Sequence, residues 1–120
     1  MRFSDLNIPQ GATIEEAKIV FTSSHNTDRT ANYAIKIEDV ADAEPFARNS
    51  TFTITDRSWH ANTVAWNVNA WVKDSIYQSP DLSSLLQPVV SRSDWCGGNA
   101  VSLHIDGAGY RSMYLSLIHI

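Results

Sequence analysis

Three of the four tryptophans fall in one stretch, Ser58-Trp59-His60-Ala61-Asn62-Thr63-Val64-Ala65-Trp66-Asn67-Val68-Asn69-Ala70-Trp71. An indole at a surface offers a flat apolar face that can stack on a sugar ring, while its N–H seeks a polar partner. Trp59, beside His60 and Asn62 in a polar run, serves either as such a platform or as a half-buried loop anchor. Tyr77 and Trp95, each next to a turn, are further candidates for carbohydrate contact, with a structural role as their alternative. Trp66 reads differently: side chains alternate along a strand, so Trp66 and Val64 share one face, Ala65 and Asn67 the other, and one indole points inward.

Asp39, Asp42 and Glu44 are the best set of hard oxygen ligands, the type calcium requires several of. They match no calcium-loop motif, so a solvated acidic loop is favoured, with calcium the one cofactor to consider. His25, His60, His104 and His119 lack the spacing of a zinc or copper site. No serine sits in a nucleophile-elbow glycine pattern, and no catalytic residue is assigned. Cys96 is the single cysteine, which excludes an intrachain disulfide; within Trp95-Cys96-Gly97-Gly98 it reads as a half-buried structural thiol. Asn49-Ser50-Thr51 fits the glycosylation rule, read here as incidental.

The elements that must carry these residues are short. A chain of 120 residues supports one domain with one core. Its net charge of −4 and nine scattered Lys and Arg argue against nucleic acid as a partner. Neither a signal peptide nor an apolar run of the ~20 residues that cross a bilayer is present, so membrane insertion is not expected.

Asn7-Ile8-Pro9-Gln10-Gly11-Ala12 reads as a turn with a strand pair around it, Thr13 to Phe21 as a strand with Glu15 and Glu16 at its exposed start, and polar Ser23 to Asn32 as a hairpin loop. Tyr33 to Glu38 alternates strictly, Tyr33, Ile35 and Ile37 on one face; Thr51-Phe52-Thr53-Ile54-Thr55 is another short strand. Leu82, Leu85, Leu86, Val89 and Val90 have helical spacing, with Asp81 placed to cap and Pro88 expected to kink or break the helix near Ser84 to Pro88. Gly97-Gly98-Asn99 turns the chain into a buried strand, Ala100 to Ile105, which Asp106-Gly107-Ala108-Gly109 should end. The expected fold is all-β, an antiparallel jelly-roll-like β-sandwich with one short helix near residues 81–92.

Ile8-Pro9-Gln10-Gly11-Ala12-Thr13-Ile14, then Thr63-Val64-Ala65-Trp66-Asn67, then Pro80-Asp81-Leu82-Ser83-Ser84-Leu85-Leu86, then Gly98-Asn99-Ala100-Val101-Ser102-Leu103 form a recognisable order. The chain resembles the DNRLRE-like jelly-roll β-sandwich modules, whose superfamily includes carbohydrate-binding modules. The resemblance implies a secreted, non-catalytic bacterial module, extracellular or at the cell surface. It would be joined to other domains of a larger parent protein and bind polysaccharide or a cell-surface glycan. A structural spacer or adhesin-stalk domain is the alternative. It also implies that Trp66 and Trp71 fill the core, and that one or two strands are missing before Arg2-Phe3. Pro88 falls where relatives carry a helix former. Leu115-Ser116-Leu117-Ile118-His119-Ile120 resembles the translated read-through of a sequencing-library adapter, so the expected domain is 1–114 with 115–120 a non-native tail.

Overall fold

The computed structural model describes residues 1–46 and 57–120. Its strands are β1 (Arg2–Phe3), β2 (Lys18–Ser23), β3 (Ala31–Ile37), β4 (Val64–Val68), β5 (Ile76–Gln78), β6 (Val101–Ala108) and β7 (Met113–His119), with one helix, α1 (Ser83–Val90), between β5 and β6. They form two antiparallel sheets, ordered β1-β6-β3-β4 and β5-β2-β7. The fold is an all-β sandwich with one short helix. The strand expected at Thr51 to Thr55 and the Asn49-Ser50-Thr51 sequon lie outside the described residues.

Alternation fixes which side chains meet between the sheets. Ile19 and Phe21 of β2, Ile35 and Ile37 of β3, Trp66 and Val68 of β4, and Val101 and Leu103 of β6 form one buried cluster with Trp71, Trp95 and the apolar face of α1. Phe21 stacks on Trp66 across the two sheets, centroids 5.4 Å apart at 18°. One further buried feature is a charged pair: Arg57 Nη1 donates to Glu38 Oε2 at 2.6 Å, and its Nη2 to the Glu44 carbonyl at 2.8 Å.

Several expectations need correction. Ser23 to Asn32 is not a hairpin: β2 pairs with β5 and β7, whereas β3 pairs with β4 and β6, so the loop carries the chain from one sheet to the other. Likewise β1 and β2 belong to different sheets, although the turn between them stands, with Ala12 N–H on the Pro9 carbonyl and Gly11 at φ 73°. The segment before Lys18 is not strand. Side chains stand in for a ladder there, Gln87 accepting from Ile14 N–H and Asp81 from Ala17 N–H, and Ser79 Oγ accepts from Ile19 N–H at the start of β2.

Helix α1 runs unbroken through Pro88. A proline inside a helix costs about 3 kcal/mol, but burying an aliphatic side chain contributes roughly 1.5–3 kcal/mol, and Leu85, Leu86, Val89 and Val90 are all buried. Packing therefore outweighs the lost hydrogen bond to Ser84. Asp81 does not occupy the N-cap position, which is Leu82, but its carboxylate still accepts from Ser83 N–H and Ser83 Oγ. β6 continues through Asp106, Gly107 and Ala108, because a glycine lets the backbones close: a Cβ on Gly107 (φ 147°) would lie 2.1 Å from the Asn32 carbonyl oxygen. Residues 115–119 belong to β7, paired with β2 from Lys18↔His119 to Thr22↔Leu115.

Candidate functional site

Among the described residues, three connections meet at one end of the sandwich: residues 24–30 between β2 and β3, 69–75 between β4 and β5, and 109–112 between β6 and β7. Main-chain bonds lock them together. Thr27 and Trp71 exchange both backbone hydrogen bonds at 2.8 Å, Ser24 N–H reaches the Ser112 carbonyl at 3.1 Å, and Asp74 N–H the Ser23 carbonyl at 2.8 Å. Arg111 spans all three segments, its guanidinium donating to the carbonyls of Arg29 and Asn69 and lying 5.7 Å from the centre of the Trp71 ring. Backbone pairs and Arg111 thus meet part of the loops' polar backbone, while Lys73 N–H is met by Asn26 Oδ1 at 2.8 Å and Val72 N–H by the Tyr77 hydroxyl.

This leaves side chains to face solvent. A cleft of about 510 Å³ runs between residues 25–30 and 109–111. Along it His25, Asn26, Asp28, Arg29 and Thr30 are exposed, and the Tyr110 ring, 68% exposed, forms one wall. An exposed aromatic plate beside short amide, hydroxyl, carboxylate and guanidinium groups suits a ligand with an apolar face and a rim of hydroxyls. A second cleft of about 470 Å³ opens next to it, between residues 26–28 and 70–72.

The sequence-predicted aromatics are scattered. Trp59 lies against the outer face of the four-stranded sheet, bridged to Glu38. Its half-buried indole is 5.3 Å from the His104 ring, and Lys36 Nζ is 5.5 Å from its centroid. Burial, then the Lys36 charge, hold His104 below the usual histidine range against an opposing pull from Asp106, which favours the neutral imidazole. Tyr77 belongs to the loop end but is spent on structure: it stacks on Trp71 at 4.7 Å and 3°, and its hydroxyl accepts from Val72 N–H at 2.7 Å. Trp95 lies at the opposite end, 2% exposed, with its indole N–H on the Ile8 carbonyl at 2.9 Å. It presents no face for a sugar, and the reason is that it fills the core beneath the turn. Its neighbour Cys96 consequently points out and is exposed, not half-buried.

The acidic set does not converge. Asp39 takes a 2.8 Å ion pair from Arg92, Asp42 accepts from Ala100 N–H at 2.8 Å, and Glu44 is exposed. Among the described residues, no three His, Cys, Asp or Glu side chains are grouped to hold a metal ion. Trp66 and Trp71 are both buried, as expected.

Tyr110 and the 25–30 loop escaped sequence reasoning. The one available signal was an aromatic and an arginine directly after Gly107-Ala108-Gly109; the loop itself read only as polar and turn-forming. No protein-family model, no curated protein and no solved structure matches this chain.

Proposed function

We propose that the chain is a non-catalytic accessory module that binds polysaccharide or a cell-surface glycan in the cleft between residues 25–30 and 109–111. The observation that carries this reading is the exposed Tyr110 ring walling a polar cleft of about 510 Å³. A pyranose has one apolar C–H face for the ring and hydroxyls for the flanking polar groups, and the bound sugar needs no catalytic group. The resemblance to DNRLRE-like jelly-roll modules supports the same reading. It adds the context of a secreted bacterial protein in which this module is tethered to other domains.

Retention on a panel of insoluble polysaccharides, together with mobility in gels containing soluble ones, tests it. Tyr110→Ala should weaken retention roughly tenfold, the loss of about 1.4 kcal/mol, with the far-UV spectrum unchanged. Trp59→Ala should bind like the wild-type chain. The reverse pattern would move the site to the outer sheet face, and retention by no glycan would leave the structural spacer as the better reading.

A further inference from the structure

The loop between β2 and β3 borders two clefts at once. Asn26, Thr27 and Asp28 line the cleft of about 510 Å³ that Tyr110 walls, and the same three residues line the cleft of about 470 Å³ shared with Ala70, Trp71 and Val72. Asn26 and Asp28 are exposed, and the exposed side chains of Ala70 and Val72, the latter 58% exposed, give the second cleft an apolar surface. The ridge between the clefts is held in place. Thr27 and Trp71 exchange both backbone bonds at 2.8 Å, and Asn26 Oδ1 accepts from Lys73 N–H at 2.8 Å, which leaves the Asn26 Nδ2 hydrogens to donate elsewhere.

A fixed ridge with a cleft on either side constrains the shape of a ligand. A single sugar resting on Tyr110 occupies the first cleft and gains nothing from the second. A linear chain laid over residues 26–28 sets one unit against Tyr110 and a following unit against Ala70 and Val72, with the hydroxyls between them beside Asn26 and Asp28. Because the second unit is covalently joined to the first, it binds without a second loss of translational freedom, so its contacts add to affinity. Both clefts are open troughs, so a longer chain continues past the site in either direction.

We infer that the module takes an internal segment of a linear polysaccharide across residues 26–28, with Ala70 and Val72 forming a second subsite beside that of Tyr110. This rests on the glycan reading of the Tyr110 cleft and specifies what is recognised there: the body of a chain, not a terminal sugar.

The test is amide chemical-shift titration of the full chain with mono-, di-, tetra- and hexasaccharides of β-1,4-glucose, β-1,4-mannose, β-1,3-glucose and α-1,4-galacturonic acid, followed by the binding stoichiometry on the soluble parent polymers. In a series that binds, the monosaccharide should shift amides of residues 25–30 and 109–111, and the tetrasaccharide those of residues 70–72 as well. The tetrasaccharide should bind about tenfold more tightly than the monosaccharide. Replacing both exposed side chains, Ala70→Asn with Val72→Asn, keeps the fold and should bring the tetrasaccharide back toward the monosaccharide's affinity. Many modules should load onto each polymer chain. Equal affinity for monosaccharide and tetrasaccharide, a length gain that the double variant does not touch, or one module per polymer chain would each overturn this inference and leave the glycan reading standing. Binding to no series would count against the glycan reading itself, and this inference would fall with it.

Discussion

The two ends of the sandwich use polar residues in opposite ways. At the helix end, side chains hold the backbone: Gln87 bridges Ile14 N–H and the Ala12 carbonyl, Asp81 caps Ala17, Ser79 caps Ile19, Asn99 donates to the Ala41 carbonyl, and Trp95 pins Ile8. At the loop end backbone pairs carry more of the load, through the Thr27–Trp71 pair and the Ser24 and Asp74 amides, with Arg111, Tyr77 and Asn26 as side-chain ties. A polar side chain bonded to a buried backbone group is committed to the fold. One freed from that duty is available to a ligand, and at the loop end His25, Asp28, Arg29 and Thr30 are exposed beside Tyr110, which makes it the better candidate site.

That contrast breaks most visibly at two aromatics that both follow or flank turns, Trp95 and Tyr110. Trp95→Ala should cost roughly 3–5 kcal/mol in urea unfolding, the range for removing a large buried aromatic. A loss under about 1 kcal/mol would show that Trp95 does not anchor the helix end. Gln87→Ala comes next. It orphans the Ile14 amide and the Ala12 carbonyl together, so a loss of about 1–3 kcal/mol is expected by the same measurement. Gln87→Glu should recover the Ile14 bond but not the one to Ala12, and fall between.

Local pattern was legible where one period governed a stretch. Tyr33 to Ile37 and Val64 to Val68 read correctly because each buries alternate residues against the same core. Partnering was not legible, since a polar loop such as 24–30 has the same composition whether it closes a hairpin or crosses between sheets. The proline in α1 misled because its cost is local and visible, whereas the packing that offsets it comes from residues distant in sequence. The acidic residues show the same limit: Asp39, Asp42 and Glu44 are close in the chain, yet two of them are claimed by Arg92 and the Ala100 amide, over fifty positions on. The candidate cleft draws on residues 25–30 and 109–111, which no local pattern links.

A smaller effect separates the outer sheet face from both ends. His104 is held below the ordinary value of about 6.5 by burial and by Lys36. The unfolded chain takes up a proton at this residue before the folded one does. Stability therefore falls as pH drops from about 6.5 toward the folded-state pKa, and that contribution levels off once both states are protonated. His104→Gln should flatten the pH dependence of the urea midpoint in this window. An unchanged slope would mean that other groups set it. Lys36→Met, which removes the second cause but not burial, should flatten it less.

The smallest effect on stability is the most informative. Tyr110 projects into solvent, its hydroxyl accepting from Ser112 Oγ at the rim of the cleft. Truncating such a side chain removes little buried area, so Tyr110→Ala should leave unfolding free energy within about 0.5 kcal/mol of the wild-type chain. An aromatic this exposed at the mouth of a cleft, tied only within its own loop through Ser112, fits a role in contacting a ligand from outside. If Tyr110→Ala instead destabilised the protein as Trp95→Ala does, the ring would be a structural wedge between the 24–30 and 109–112 segments. The division of labour between the two ends would then fail at the residue on which the binding proposal depends.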